Sequence, residues 1–334
     1  MSEWFEKMRE SLVFKIIRSV VLLGLSFAGV GVYVVQPSCT RQPPTPQKVS
    51  VERMHKNVSM LSDRFAPRSY EDHGNLSHCA AYIASQFRQA GAEVEMQEYE
   101  VPRQKRVFRN VIASFGPDSG PCIVVGAHYD SFQDSLGADD NASGIAGLIE
   151  LAYLLKNASL DKQVRLVAFT LEEPPFFRTA DMGSAHYAKE LRSQNIDVEA
   201  MICLEMIGYF SDEKKSQEFP SAVLKLLYPN TGNYIALIGS LGDRKLIKKV
   251  KASMKGATDL PVYSLCAPKS FPGVDFSDHL NFWNEGYTAV MVTDTAFYRN
   301  PGYHTAGDTI YRIDFERMAK VVLGVYEAVV HLAE

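Results

Sequence analysis

Residues 122–155 read CIVVGAHYDSFQDSLGADDNASGIAGLIELAYLL. The first six, 122–127, form a short and wholly apolar run, which predicts a central strand covered on both faces. A polar stretch follows, and apolar residues at helical spacing then predict a helix over 143–155. A strand, a polar loop and a helix in this order are typical of an α/β sheet, whose ligands bind at the carboxyl ends of the strands.

Strands and helices alternate along the chain on either side of this stretch. Antiparallel pairing is expected for the two strands that precede it, at 94–99 and 107–115. Residues 208–231 and 263–274 are expected to be long loops, which often border binding sites. The order predicts a three-layer α/β/α sandwich with a mostly parallel central sheet, preceded by an N-terminal membrane-anchor helix. The other predicted strands are 164–170, 200–204, 234–238 and 288–293, and the other predicted helices are 51–65, 75–89, 184–191, 245–254 and 315–331.

The composition is that of a globular protein, since 46% of the 334 residues are hydrophobic and 22% are charged. These fractions exclude a disordered, collagen-like or coiled-coil chain. The formal net charge of −4 leaves no basic surplus to neutralise phosphates, so no nucleic-acid partner is expected. Five cysteines occur without a CxxC pair, which argues against a thiolate zinc site or a disulfide scaffold.

The N-terminal part of the chain is expected to lie outside the folded domain. Residues 19–36 are predicted to be a signal anchor or a signal-peptide core, because 19–40 carries no charge. Basic residues in the predicted cytoplasmic segment 1–18 place the rest of the chain outside the cytoplasm by the positive-inside rule. A proline-rich linker, 37–50, leads to the domain at 51–334. We expect a single-pass membrane protein with an extracytoplasmic domain, whereas cleavage of the apolar segment would give a secreted or periplasmic one.

Histidines and carboxylates gather where predicted strands end. Taken singly, each has a structural explanation, such as a satisfied histidine, a helix N-cap or a solvated acidic pair. Together, at one edge of one predicted sheet, they favour a site for divalent metal ions. The segments are His128-Tyr129-Asp130, Asp139-Asp140-Asn141, Glu172-Glu173, Leu204-Glu205 and the late Tyr303-His304.

In chain order, the motifs H-Y-D-S, G-A-D-D-N-A-S-G, E-E, L-E-M-I-G and Y-H-T-A-G-D-T resemble those of the M28 family of zinc aminopeptidases. The resemblance covers about residues 51–334 and implies a zinc peptidase domain over that range. It also implies two Zn²⁺ per chain, peptide substrates and a water nucleophile activated by the metal ions.

The resemblance assigns five metal ligands, of which one carboxylate serves both ions. They are His128 and Glu205 for one ion, Glu173 and His304 for the other, and Asp140 for both. Asp139 competes with Asp140 for the shared position, although it lies one residue from the family position. Glu172, beside the ligand Glu173, would be the general base, because a carboxylate free of metal must move the proton of the water. Glu205 stands where many family members have aspartate.

Asp130 is the second catalytic candidate, because it lies two residues after a ligand histidine and can orient that imidazole. A turn-forming aspartate is the structural alternative. The segment after the glutamate pair departs from the short glycine-rich turn of the family. It suggests an aromatic pocket wall from Phe176 and Phe177, with Arg178 facing substrate, although one of the two phenylalanines is expected to pack under the loop.

Two tyrosines flank predicted ligands, Tyr209 and Tyr303. Either can hydrogen-bond a tetrahedral intermediate as part of substrate binding, and either can equally be a buried structural tyrosine. His279 is expected to be structural or to lie beside substrate, since the ligand positions are already filled.

The expected function is that of a zinc-dependent exopeptidase, an aminopeptidase that hydrolyses the N-terminal residues of peptides. One alternative of the same fold is a glutaminyl-cyclase-like transferase that uses one zinc ion. Another is a carboxypeptidase of the same family, which needs a cation for the substrate carboxylate, and Arg178 is the candidate. A scaffold domain that lost its chemistry is disfavoured, because all five ligands and the base are present.

Overall fold

The computed structural model describes residues 2–38 and 40–334 of the chain. Within these ranges, one sheet of eight strands forms the centre of the fold. The strands are β1 (Glu93–Val101), β2 (Arg106–Phe115), β3 (Cys122–His128), β4 (Gln163–Phe169), β5 (Val198–Glu205), β6 (Ile235–Gly239), β7 (Val262–Cys266) and β8 (Ala289–Thr293). Their spatial order is β1-β2-β4-β3-β5-β8-β6-β7, and β4, β3, β5 and β8 are parallel neighbours. The expected antiparallel pair of β1 and β2 is confirmed, and β2–β4 and β6–β8 are also antiparallel.

Helices cover both faces of the sheet, which confirms the three-layer sandwich. The described α-helices are α1 (Ser2–Val35), α2 (Val51–Ser59), α3 (His73–Gln89), α4 (Gly144–Leu155), α5 (Gly183–Ser193), α6 (Ala222–Leu227), α7 (Arg244–Ala257), α8 (His279–Asn284) and α9 (Phe315–Ala333). Buried side chains of α2, α3, α4, α7 and α9 pack on one face, and those of α5 and α8 pack on the other. Every residue of β3 is buried, as its continuous apolar run predicts.

Two segments differ from the expected loops. The first residues of 263–274 belong to the edge strand β7, in which buried and half-buried residues alternate, so the loop prediction is wrong there. Residues 208–231 contain the short helix α6. Both elements have only five or six residues, which is too short for a periodic pattern to stand out from a loop.

The N-terminal helix α1 contains Val13–Val35, which is long and apolar enough to cross a membrane. Side chains at 13–26 are exposed. Beyond α1, the Gln42 N–H donates to the Ala252 carbonyl at 3.1 Å, and the Thr45 hydroxyl donates to Glu327 Oε1 at 2.6 Å. The predicted linker therefore runs along α7 and α9. Cys39 lies outside the described residues.

Candidate metal centre

The carboxyl ends of the parallel strands β3, β4 and β5 lie side by side, and the structure brings all five predicted ligands together there. They are His128 at the end of β3, Asp140 before α4, Glu173 after β4, Glu205 at the end of β5, and His304 between β8 and α9. A left-handed φ of +59° at Leu171 turns the chain after β4, so that the glutamate pair leaves the line of the strand.

The ligand atoms form two groups that share one aspartate. His128 Nε2 lies 3.4 Å from Asp140 Oδ1 and 3.4 Å from Glu205 Oε2. His304 Nε2 lies 3.2 Å from Asp140 Oδ2 and 3.2 Å from Glu173 Oε2. Asp140 therefore turns one oxygen toward each group, which is the geometry of a bridging ligand.

These separations suit zinc ions. A tetrahedral zinc ion with bonds of about 2.0–2.1 Å places its ligand atoms about 3.3–3.4 Å apart. Two buried atoms of the ligand residues, His128 Nε2 and the second carboxylate oxygen of Glu173, Oε1, have no hydrogen-bond partner among the described residues. A buried polar atom without a partner is costly, so both atoms fit the role of metal ligands.

Without bound metal ions, burial makes ionisation of the carboxyl groups in this site energetically unfavourable. It raises the pKa of Glu173 to about 8, and the nearby Asp140 carboxylate adds to this effect. It also raises the pKa of Glu205. Burial opposes ionisation of Asp140 as well, but the His128 and His304 imidazoles outweigh it and lower the pKa of that carboxyl. Divalent cations within the two groups would neutralise this buried acidic cluster.

Asp130 holds the backbone of the glutamate pair. Its Oδ1 accepts from the Glu172 N–H at 3.2 Å, and its Oδ2 accepts from the Glu173 N–H at 3.0 Å. The same Oδ1 faces His128 Nδ1 at 3.5 Å. The Asp130 carboxylate thus lies beside the His128 imidazole, as its position in the sequence predicts. It also fixes the backbone of Glu172 and Glu173.

Glu172 lies at the edge of the His128 group, with Oε2 at 3.9 Å from the imidazole Nε2. It can also join His128 and Glu173 in a third candidate ligand group. Burial raises the pKa of Glu172 well above its usual range, and the carboxylates of Glu205 and Glu173 raise it further against the opposing effect of His128.

A buried arginine that the sequence analysis missed fastens the loop between His128 and Asp140. Arg68 is fully buried, and burial lowers its pKa. Its guanidinium donates four hydrogen bonds of 2.8–2.9 Å to backbone carbonyls, at Leu61, Tyr129, Leu136 and Gly137. A carbonyl is present at every residue, so no motif signals such a contact.

Two more residues that position the ligands could have been found from the sequence, because they lie in a motif or close to a candidate histidine. Asp308, the last acid of Y-H-T-A-G-D-T, accepts from the backbone N–H groups of Asp139 at 2.9 Å and Asp140 at 3.0 Å. The Ser277 hydroxyl donates to Glu205 Oε2 at 2.7 Å. His279, close to Ser277 in sequence, faces the Val274 carbonyl and not the ligand groups, which fits its expected structural role.

An apolar pocket opens beside the ligand groups. Glu205 and Tyr303 line it together with Leu224, Tyr228, Phe276 and Phe297. Tyr303 also stacks on His304, with ring centroids 3.7 Å apart. Burial, followed by the charge of Asp140, raises the pKa of the Tyr303 phenol, so the hydroxyl stays a donor.

The other predicted substrate contacts differ in their placement. Phe176 packs on Tyr70 under the loop, while Phe177 is half-buried and meets the pocket residue Phe276 edge-on at 6.1 Å. Arg178 is paired with Asp275 at 2.5 Å. Tyr209 is half-buried, and its backbone N–H donates to Asp294 Oδ2 at 2.8 Å; its phenol remains a predicted contact.

Comparison with known proteins places this arrangement among peptidases. The model of Peptidase family M28 matches residues 110–329. The Escherichia coli protein YfbL is 45% identical over 298 residues, which cover 87% of this chain and 91% of that protein. Aminopeptidase YwaD of Bacillus subtilis is 30% identical over 217 residues, which cover 62% of this chain and 41% of that protein. The solved structure of BSAP, a zinc aminopeptidase from Bacillus subtilis, superposes with a TM-score of 0.68 at 17% identity, covering 88% of this chain and 96% of that one.

Proposed function

The chain belongs to peptidase family M28, whose members hydrolyse peptide bonds, and we propose that it is a zinc-dependent aminopeptidase with two zinc ions. The observation that carries the proposal is the pair of ligand groups joined by Asp140, each with its own histidine and glutamate. His128 and Glu205 would hold one ion with Asp140, while Glu173 and His304 would hold the other. When bound, such a pair supplies Lewis acidity and lowers the pKa of water.

Glu172 is the proposed general base. It is buried beside the ligand groups, and the Asp130 carboxylate fixes its backbone N–H. Burial and the charges of Glu205 and Glu173 raise the pKa of Glu172, which makes it a stronger base than an exposed carboxylate. A side chain in that state can take a proton from the attacking water at Oε2 and return it to the leaving amine.

The lining of the site favours the amino end of a peptide. Glu172 is a buried acidic side chain that would not be neutralised by a metal ion, so it would favour an ammonium group over a carboxylate beside the ligand groups. Arg178, the candidate for binding a C-terminal carboxylate, is already neutralised by Asp275. These contacts argue against the carboxypeptidase alternative.

We propose that the apolar pocket receives the side chain of the N-terminal residue. Leu224, Phe276 and Phe297 offer apolar surface next to Glu205 and Tyr303, so leucine or phenylalanine should be bound better than a charged side chain. Tyr303, which lines this pocket, would donate its hydroxyl to the carbonyl oxygen under attack.

The complete second ligand group argues against the one-zinc cyclase. His128 Nε2 lies 3.4 Å from oxygens of Asp140 and Glu205, and His304 Nε2 lies 3.2 Å from oxygens of Asp140 and Glu173, so both groups are complete, which a single-metal site does not require.

We further propose that α1 is an uncleaved anchor and that the peptidase domain lies on the extracytoplasmic side. Support comes from the apolar stretch Val13–Val35, whose side chains at 13–26 are exposed, and from Arg9 before it and Lys15 and Arg18 in its first turns. Protease added to spheroplasts should degrade the domain without lysis, and protection from that protease would overturn the orientation.

The decisive assay uses matched peptides that differ only at their ends. The purified full chain, analysed for zinc by mass spectrometry, should shorten a leucine-headed peptide from its N-terminus and leave the N-acetylated copy intact. An amidated C-terminus should make no difference. Equal cleavage of the acetylated peptide, or shortening from the C-terminus, contradicts an aminopeptidase, and loss of ammonia from a glutamine-headed peptide would support the cyclase.

The pocket is tested by Leu224→Trp, which fills it away from the ligand groups. This variant should slow a phenylalanine-headed peptide much more than an alanine-headed one. An equal effect on both peptides would remove the pocket from the proposal without touching the metal ligands.

A further inference from the structure

Exposed apolar side chains of the domain cluster beside the end of α1. Outside α1, the large apolar side chains that are strongly exposed among the described residues are Val223, Leu226, Leu241, Phe297 and Tyr311. Phe297 belongs to the pocket described above. Three of the remaining four, Val223, Leu226 and Leu241, adjoin the point where α1 meets the domain.

Helix α6 presents one of its faces next to α1. Its residues Val223, Leu226 and Leu227 have the spacing that places side chains on one helical face. A Cβ added at Gly31 of α1 would lie 3.8 Å from Leu227 Cδ2, so this face borders α1. Leu226 on the same face is 81% exposed, whereas Leu224 points inward to the pocket.

The start of α7 adjoins the same part of α1. The Tyr33 hydroxyl donates to the Leu241 carbonyl at 3.5 Å, and the Arg244 guanidinium lies 4.4 Å over the Tyr33 ring. Beyond this point, the Val35 carbonyl accepts from the Ser264 hydroxyl at 2.9 Å. The end of α1 is therefore fixed to the edge strand β7 and to the beginning of α7.

The face of α7 toward α1 is strongly basic. Arg244, Lys248, Lys251 and Lys255 recur at helical spacing, and α7 contains no acidic residue. Lys251 donates to the Gln36 carbonyl at 2.9 Å, and Lys255 donates to the Ser38 carbonyl. Lys248 lies on the same face between Arg244 and Lys251 and is exposed, as is the neighbouring Lys245.

We infer that α6, Leu241 and the exposed lysines of α7 form a membrane-seating surface that rests on anionic phospholipid beside the anchor. Val223, Leu226 and Leu241 would enter the interface between headgroups and acyl chains, and Lys245 and Lys248 would contact lipid phosphates. Exposed apolar side chains next to lysines match the surface of an anionic bilayer, where acyl chains lie beneath phosphate groups. A second copy would bring like charges together, which opposes pairing. The inference rests on the proposed anchor, but not on the proposed aminopeptidase activity.

Seating would have a consequence for substrate access. Leu224 on the inner side of α6 lines the pocket, while Leu226 on its outer side would touch lipid. The pocket wall would then lie one helix diameter from the membrane, about 10 Å.

The test measures lipid contact at a single position of the full chain. A polarity-sensitive fluorophore is attached to Leu226→Cys in a Cys39→Ser background, since the other four cysteines are buried. The matched control is Arg103→Cys, an exposed position in the β1–β2 turn at the opposite edge of the sheet. Both are reconstituted in vesicles of equal parts phosphatidylcholine and phosphatidylglycerol, with and without doxyl-labelled lipid.

The label at position 226 should shift its emission to the blue and lose most of its intensity to the doxyl quencher. The label at position 103 should do neither. Replacing Lys245 and Lys248 by glutamine should weaken quenching at position 226, as should vesicles without phosphatidylglycerol. Equal behaviour of the two labels would overturn the inference, and a blue shift without lipid quenching would show a second copy covering the surface instead.

Intact mass and peptidase assays on the same samples separate the causes of failure. Loss of α1 from the purified chain would overturn the anchor and the seating surface together. An intact, active chain with a water-exposed label at position 226 would overturn the seating surface alone, while lipid contact in a chain without aminopeptidase activity would leave it standing.

Discussion

Replacing Asp130 by asparagine tests whether one carboxylate fixes the catalytic segment after β4. The two oxygens of Asp130 accept separately from the Glu172 and Glu173 backbones, at 3.2 and 3.0 Å. Asparagine keeps the shape but has a single acceptor oxygen, so one buried N–H must face the side-chain amide. Both glutamates should then be held less firmly in their positions relative to His128.

The expected cost follows from the contact that is lost. A buried donor left without its partner costs about 1–3 kcal/mol, and the bond here is to an ionised group, so we expect a loss of about 2 kcal/mol in the free energy of unfolding. Misplacement of a catalytic group by about 1 Å can lower a rate 10²-fold, and we expect a fall in kcat of about that size. Urea unfolding and steady-state kinetics on a leucine-headed peptide measure the two effects.

Asp134→Asn is the matched control, because Asp134 is an exposed carboxylate in the same segment. It should change the free energy of unfolding by less than about 0.5 kcal/mol and leave kcat unchanged. If Asp130→Asn behaves like this control, the two backbone contacts do not position the glutamate pair. A loss of stability with unchanged kcat would likewise refute the positioning role.

Further substitutions test the other assignments. Glu172→Gln should keep its zinc and its fold but lose about 10²–10⁴-fold in kcat, and wild-type turnover in zinc-loaded protein would contradict its role as base. His128→Ala should leave about one zinc ion per chain and Asp140→Ala still less, as metal analysis will show, because Asp140 alone faces both groups. Arg68→Met removes the four hydrogen bonds of a buried guanidinium and should cost about 4 kcal/mol in urea unfolding, whereas the exposed Arg103→Met should cost almost nothing.

The central strands could be predicted because a strand that is buried on both faces consists of a continuous run of apolar residues. β3 is an unbroken apolar run that ends in the polar segment from His128 onward, and β5 gives way to Glu205 in the same manner. A parallel sheet places such ends at one edge, so the sequence indicates which polar residues meet. β7 and α8 give no comparable signal, because five or six residues hold too few repeats of either period.

Residues that bind backbone carbonyls could not be predicted. Arg68 lies before every motif of the site, and its four acceptors are main-chain oxygens whose positions exist only once the loop has folded. Docking of the end of α1 has the same character, since Lys251 and Ser264 reach the carbonyls of Gln36 and Val35 across more than two hundred residues. Such contacts follow from the tertiary arrangement and leave no local pattern.

The choice between Asp139 and Asp140 shows what the sequence lacks and the structure supplies. Two adjacent aspartates offer the same ligand chemistry, and in the sequence only the family position separates them, but a carboxylate already engaged by hydrogen-bond donors has little capacity left for a metal ion. Asp139 Oδ1 accepts from the Gly208 N–H at 2.9 Å, and its Oδ2 accepts from Asn300 Nδ2 at 2.8 Å. Asp140 instead turns both oxygens to imidazoles, while Asp308 holds its backbone N–H. The existing hydrogen bonds therefore leave Asp140, and not Asp139, free to bridge two ions.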